Sequence, residues 1–391
     1  MFSGALKNIP DGVESGAPVQ LVDEQGGFLA SGYFNSYSQI AVRVWSWDEK
    51  EDVNSDFFKR RIENAFEIRK KFVLNKQTDS CRLVYAENDL LPGLVVDKYD
   101  DYLVVQFHTQ GIEKWKKEIV EALVSVVKPK GIYERSDVMK KKREGGVIGG
   151  VGAYCHTPSQ LDEERANINS PLHGKIPDKI KITENGHKFW VDVIHGQKTG
   201  FFLDQRDKRQ ALAKYVEGKK VLNCFSYTGG FSVYALNAGA EKVVSVDASR
   251  EALEMAEENV KLNKLDEKKA EFILADVKEY LRDQTSGAYD VIILDPPAFI
   301  KDRHKINEGL SGYKKINEAA LRILPPGGIL VSASCSAHLS LDDFRFMLSE
   351  SAGRAGRTLQ ILETYTHGVD HPELVAFMEG EYLKCCFALV S

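Results

Sequence analysis

Residues 219–236 read KKVLNCFSYTGGFSVYAL: an apolar run from Val221, a turn containing Gly229 and Gly230, then apolar residues at helical spacing. An apolar run closed by glycine is the signature of a strand buried on both faces, and the change of period marks the start of a helix. The pattern repeats. The runs KVVSVD (242–247), AEFILAD (270–276), YDVIILD (289–295) and GGILVSAS (327–334) alternate with helical patterns at 231–238, 249–263, 276–283, 305–324 and 341–352. This predicts an α/β fold, a doubly wound and mostly parallel sheet covered on both faces. The final runs, TLQILETYT (358–366) and YLKCCFALVS (382–391), have no helix between them. They predict an antiparallel hairpin at one edge of a seven-stranded sheet.

Two further zones precede this one. Short β-like runs VQLVD, FLASGYF and IAVRVWSW, split by Gly26-Gly27 and Gly32, predict a small β domain over residues 1–54. A helix of roughly 16 residues is predicted from Ser55, with Asp56 in its first turn and basic residues near its end, inside a connecting segment 55–79. The central zone, 80–187, opens on three β-like runs within residues 81–108, broken at Asn88-Asp89, Pro92-Gly93 and Asp100-Asp101. An amphipathic helix at Ile112–Val127 and a strand at GIYERSD follow, which predicts an α+β domain. Residues 145–174 are rich in Gly, Pro and polar residues and read as extended. The remainder, 188–391, is the sheet described first.

A chain of 391 residues exceeds the length at which one core stops growing, so several domains are expected. With 43% hydrophobic and 28% charged residues it has material for packed cores throughout. No apolar run reaches the roughly 20 residues that span a bilayer, and the start lacks a basic segment followed by an apolar stretch. A cytoplasmic protein with no membrane association is expected. Cys81, Cys155, Cys224, Cys335, Cys385 and Cys386 show neither CxxC spacing nor a histidine at ligand spacing, so no metal site or disulfide framework is expected. The formal charge of −5 gives no global reason to bind a polyanion. Any nucleic-acid contact must be local, and Lys140, Lys141, Lys142 and Arg143 form the obvious basic patch, which also suits a solvated loop.

In open α/β sheets ligands bind beyond the carboxyl ends of the strands. The first strand ends in Asn223, Phe225, Tyr227, Thr228 and Gly229, a turn with neither GxGxxG nor GK[ST], which disfavours a phosphate cradle. Asp247, followed by Ala248 and Ser249, ends the second strand, where a carboxylate suits the hydroxyls of a ribose. Asp276, followed by Val277, ends the third and could accept from the amine of an adenine. Either aspartate could equally be a helix N-cap. Asp295-Pro296-Pro297-Ala298-Phe299 ends the fourth strand and Ser334-Cys335-Ser336 the fifth. A phosphate-free turn with acidic residues at successive strand ends describes an adenosine ligand bearing a cationic sulfonium, and S-adenosylmethionine fits.

The runs GQKTGFFLDQRDKRQAL, VLNCFSYTGGFSVYAL, VDASREALEMAEENVKLN, DPPAF and SASCS resemble the large-subunit ribosomal RNA cytosine-5 methyltransferases. That family joins a PUA domain, a central α/β domain and a class I Rossmann-like methyltransferase domain. FLASGYFNSYSQIAVRVWS is similar to its PUA segment and LPGLVVDKYDDYLVVQ to its central domain, so the likeness covers nearly the whole chain. Family members usually carry a further stretch before the segment FSGA, so a PUA strand is expected to be missing here. The resemblance implies ribosomal RNA or an assembling ribosomal subunit as partner, and a homodimer is a further expectation.

Carbon 5 of cytosine is too weak a nucleophile to take a methyl unaided, and the known solution is a thiolate that adds to carbon 6. The resemblance implies that Cys335 is that nucleophile, against the alternative of a small buried hydrophobe. Asp295 can hold the base by its N3 or N4 edge or cap the following segment, and Phe299, beside Pro296 and Pro297, is a stacking platform or a core aromatic. Lys198, Phe201, Asp204 and Arg206, in KTGFFLDQR, are similar to the family's first methyltransferase motif and should border the methionine end of the cofactor. Asp295 should border it too. Family relatives with a cysteine after the fourth-motif proline use it for product release, whereas Pro297 and Ala298 stand here. His371 reads as a turn residue. Two rivals remain: methylation of a base nitrogen, which needs no thiol, and a non-catalytic RNA-binding protein.

Overall fold

The computed structural model describes residues 1–9, 11–136, 170–300 and 303–391. Lys140–Arg143 and Cys155 lie outside the described residues. The chain divides into two compact units, and residues 1–182, 191–201 and 369–377 form the first.

In that unit β1 (Pro18–Val22), β2 (Phe28–Phe34) and β3 (Val42–Ser46) form an antiparallel sheet. Leu21, Ala30, Phe34, Ala41 and Val42 fill a small core against it. The helix α1 (Ser55–Phe72) starts where expected: the Asn54 side chain accepts from Phe57 N–H, and Arg69, Lys70 and Lys71 close its last turn. β4 (Cys81–Tyr85), β5 (Leu94–Tyr99), β6 (Tyr102–Phe107), β7 (Gly131–Glu134) and β8 (Pro171–Gly174) make a five-stranded sheet in that order. Only β6 and β7 run parallel, because a helix connects them. The helix expected over 112–127 is two, α2 (Gln110–Lys114) and α3 (Lys116–Val127), parted at Trp115. Arg69 is fully buried, donating to both oxygens of Asp89 and to the Asp370 carbonyl. β9 (Ile180–Glu184) and β10 (His187–Val191) form a two-stranded sheet.

The second unit holds residues 183–190, 202–368 and 378–391. After α4 (Arg206–Leu212) come β11 (Lys220–Cys224), α5 (Gly230–Asn237), β12 (Lys242–Asp247) and α6 (Arg250–Leu262). β13 (Ala270–Leu274), α7 (Val277–Arg282), β14 (Val291–Leu294), α8 (Ile306–Ile323), β15 (Ile329–Ser334) and α9 (Leu341–Ala355) follow. β16 (Leu359–Tyr365) and β17 (Lys384–Val390) end the chain. The sheet order is β13-β12-β11-β14-β15-β17-β16, parallel except for β17, which is antiparallel to both its neighbours. This is the mostly parallel seven-stranded sheet with an antiparallel edge hairpin expected above. Winding leaves β11 in two directions, to β12 and to β14, which opens a crevice at the carboxyl ends of β11 and β14. Among the described residues no helix is long and apolar enough to cross a membrane.

Candidate active site

The turn after β11 is shaped by the backbone. Phe225, Tyr227 and Gly229 have φ of 58°, 47° and 75°, the left-handed region that only glycine enters freely. Gly229 is required on a second count, since a Cβ there would sit 2.9 Å from the Cβ of Ala256. The turn is braced by Asp247, whose two carboxylate oxygens accept from Tyr227 N–H (2.8 Å) and Ser249 N–H (2.9 Å). Asp247 is not the N-cap of α6. Ser249 fills that role, its hydroxyl accepting from Ala252 N–H. Each Asp247 oxygen therefore keeps a second lone pair, at a half-buried position, for a hydroxyl donor. Ala248 beside it is exposed.

Asp276 is the N-cap of α7: one oxygen accepts from Lys278 N–H (2.8 Å) and Glu279 N–H (3.2 Å), and Val277 packs into the core. The residue is exposed. Behind the turn, Asn223 Nδ2 donates to the Ser232 hydroxyl, which meets the Ser245 hydroxyl. Four buried polar atoms here have no hydrogen-bond partner: Asn223 Oδ1, Ser226 Oγ, Thr228 Oγ1 and Gln205 Oε1. Buried polar groups are rarely left so, and a cluster of them fits a polar ligand with amine and hydroxyl donors.

Asp295, just past β14, is half-buried, and Gln205 Nε2 donates to its Oδ1 (2.8 Å). A carboxylate only accepts, which fixes the amide with Oε1 turned away from Asp295. Pro296 is buried and Pro297 exposed. The Pro296 carbonyl lies 3.9 Å from Cys335 Sγ, so the fourth and fifth strand ends bring the DPPAF loop and the thiol together. Cys335 is partly accessible, whereas Cys81, Cys224, Cys385 and Cys386 are buried. Burial pushes the Cys224 and Cys385 thiols up and holds them protonated. Phe299 packs at 4.7 Å between ring centroids on Tyr313 and carries the Lys278 ammonium over its face at 5.5 Å.

Further charges accompany these turns, and of them sequence reading missed Glu184, Lys208, Arg209 and Lys384. Arg209 is buried and bonds both oxygens of Glu184 at 2.8 Å. Burial opposes its charge, and Glu184 overcomes that and raises its pKa. Arg206 stands 3.6 Å from the same carboxylate, so its charge is balanced within the protein. Asp204 accepts from the Tyr382 hydroxyl, and Lys208 donates to the Asp204 carbonyl. Burial pulls the Lys208 pKa down, against the pull of Asp204. Lys384 is buried on β17, opposite Ser334, and donates to the Ser336 carbonyl (3.3 Å). Lys198 and Phe201 belong to the first unit, where Lys198 is exposed with φ of 51° and Phe201 is buried. Beside them Thr199 is tied to Asp97 (2.6 Å) and Tyr99 (2.9 Å). His371 is buried against Asp370 and Tyr85, also in the first unit.

A family model described as S-adenosylmethionine-dependent methyltransferase matches residues 165–379, and one described as PUA-like domain matches residues 1–47. Ribosomal RNA large subunit methyltransferase I of Escherichia coli (strain K12) is 40% identical over 387 residues, covering 98% of this chain and 93% of the relative. Among solved structures, that of SMU.776 complexed with SAH is similar with a TM-score of 0.80 at 25% identity, covering 97% of this chain and 93% of the other. A SAM-dependent methyltransferase from Streptococcus mutans gives 0.79 at 26% identity, covering 96% and 92%. The chain belongs to the S-adenosylmethionine-dependent methyltransferases, in the branch that joins a PUA-like domain to the methyltransferase domain.

Proposed function

We propose that this chain methylates carbon 5 of a cytosine in large-subunit ribosomal RNA, with Cys335 as nucleophile. The ribosomal RNA substrate is supported by the similarity over 98% of the chain to ribosomal RNA large subunit methyltransferase I. The observation that carries the carbon-5 reading is the accessible thiol of Cys335 against the Pro296 carbonyl, one residue beyond Asp295. Transfer to a nitrogen lone pair needs no thiol there.

Bound S-adenosylmethionine supplies an electrophilic methyl on a cationic sulfur. Asp247, held by Tyr227 and Ser249, takes the ribose hydroxyls, and Asn223, Thr228 and Gly229 line the turn beneath. Phe225, Ala248, Ser249, Asp276 and Val277 border the adenosine, and Asp204 and Arg206 the methionine end. Cys335 as thiolate donates its electron pair to carbon 6, the carbon 5–carbon 6 π pair forms the bond from carbon 5 to the methyl, and the pair that had held the methyl stays on the cofactor's sulfur. Asp295, as a hydrogen-bond acceptor, holds the base by its exocyclic amine and so orients it toward the thiol. The carbon 5 proton then leaves to water or a nearby base, its bonding pair re-forms the double bond, and the carbon 6–sulfur pair returns to Cys335. Phe299 with Pro296 and Pro297 walls the base site, and Lys140–Arg143 supply phosphate contacts.

RNA carrying 5-fluorocytosine at the target tests this, because fluorine cannot depart as a proton and the adduct cannot collapse. The unmodified protein should form a complex stable on a denaturing gel in the presence of S-adenosylmethionine, and Cys335→Ala none. Methylation of RNA by Cys335→Ala would refute the carbon-5 reading in favour of nitrogen methylation.

A further inference from the structure

Tyr313, on α8, is fully buried, yet its hydroxyl makes three contacts outside its own helix. The Ser334 hydroxyl donates to it (2.9 Å), and Phe299 N–H approaches it at 3.4 Å. Both lone pairs of the phenol oxygen are then engaged, so its single proton goes to the Ser336 hydroxyl, 2.9 Å away. Ser336 Oγ also accepts from Ile300 N–H (3.2 Å). Ser334 and Ser336 flank Cys335, while Phe299 and Ile300 close the loop that begins at Asp295. One phenol oxygen therefore joins two strand ends. Filling space would need only the ring, and a buried hydroxyl is satisfied by fewer partners. Burial, with a smaller contribution from Cys335, pushes the phenol pKa up, so its proton stays in place at neutral pH.

We propose that Tyr313 is a positioning residue of the methyl-transfer reaction: its hydroxyl locks the turn carrying Cys335 to the loop carrying Asp295, keeping thiol and base-holding carboxylate at a set separation. The proposal rests on the reading of Cys335 as nucleophile. Its force comes from the steep dependence of rate on alignment, since a misplacement of about 1 Å costs roughly a hundredfold.

Tyr313→Phe keeps the ring against Phe299 and removes the oxygen. We expect kcat on the target RNA to fall about ten- to a hundredfold, with KM for RNA and Kd for S-adenosylmethionine within twofold of the unmodified protein. The rate of covalent trapping on 5-fluorocytosine RNA should fall by the same factor. If Tyr313→Phe does not fold, Ser336→Ala removes the link from its other end and must show the same loss of kcat. An unchanged kcat in a folded variant, or a loss confined to KM or Kd, overturns the positioning role. Trapping by the unmodified protein separates the two readings. With that trapping intact, equally fast trapping by Tyr313→Phe overturns only the role of Tyr313, whereas no trapping by the unmodified protein overturns the nucleophile and this proposal with it.

Discussion

Two parts of one crevice are made of different materials. After β11, three residues within Phe225–Gly229 take left-handed backbone conformations, and the Asp247 carboxylate holds the turn through backbone N–H groups. After β14 and β15, none of residues 295–300 or 334–336 has a positive φ, and side-chain hydroxyls make the links. Left-handed non-glycine residues cost about 1–3 kcal/mol each and persist only where the surroundings enforce them. On the proposed reading, the cofactor side is thus sensitive to backbone shape, and the substrate side to single side-chain atoms. The first can lose binding without losing chemistry, and the second the reverse.

The sharpest way to break this contrast is Cys335→Ser. Turnover should fall by about a thousandfold or more, while calorimetry gives an unchanged Kd for S-adenosylmethionine. A parallel loss of cofactor affinity would merge the two sides. The next effect belongs to Asp247. Because both its oxygens accept from N–H groups, Asp247→Asn sets an NH2 against an N–H, so Asn should be no milder than Ala. Each should weaken S-adenosylmethionine by about ten- to a hundredfold, roughly 1.5–3 kcal/mol. Near-normal binding by the asparagine variant would show that charge and geometry at Asp247 matter little.

Gly229→Ala tests shape directly, since φ of 75° and the 2.9 Å approach to Ala256 both oppose a Cβ. Thermal unfolding should show a loss of roughly 1–3 kcal/mol, with cofactor affinity falling in step. Full stability would mean the turn can relax. The smallest effect is expected at Asp276. Asp276→Ala removes the α7 cap at a cost of about 1 kcal/mol, whereas Asp276→Asn keeps the cap and should leave the melting temperature unchanged. Comparing the two by calorimetry isolates any contact with the adenine, because only a ligand contact would make the asparagine variant bind more weakly than its stability explains.

The sheet was legible because strands buried on both faces are nearly continuous apolar runs. Val221–Cys224, Val243–Val246 and Val291–Leu294, broken only by Asn223 and Ser245, therefore stand out from the helices between them, and the two final strands without a helix give the antiparallel edge. Strand ends were legible for the same reason, since an aspartate closing an apolar run is conspicuous. Tyr313 was not. It sits in a helix whose buried face also holds Ile316, Asn317, Ala320 and Leu321, and its spacing there is that of any core aromatic. Glu184, Gln205 and Arg209 were hidden because their partners are distant in sequence. Gln205 meets Asp295 across 90 residues, which no periodicity records. Trp115 divides the expected central helix without the glycine or proline that would mark a break.

The place of β17 bears on how the sheet is assembled. It follows β16 in sequence, yet it lies between β15 and β16. Until Lys384–Val390 has emerged, β15 has one open edge and β16 has no partner in the sheet. Both present unpaired N–H and C=O groups of the kind that template wrong pairings. Closure of this edge waits for a strand that comes after both its neighbours, and it brings in Lys384, whose ammonium bonds the turn holding Cys335. The surroundings of the Cys335 thiol are therefore finished only as the sheet is sealed.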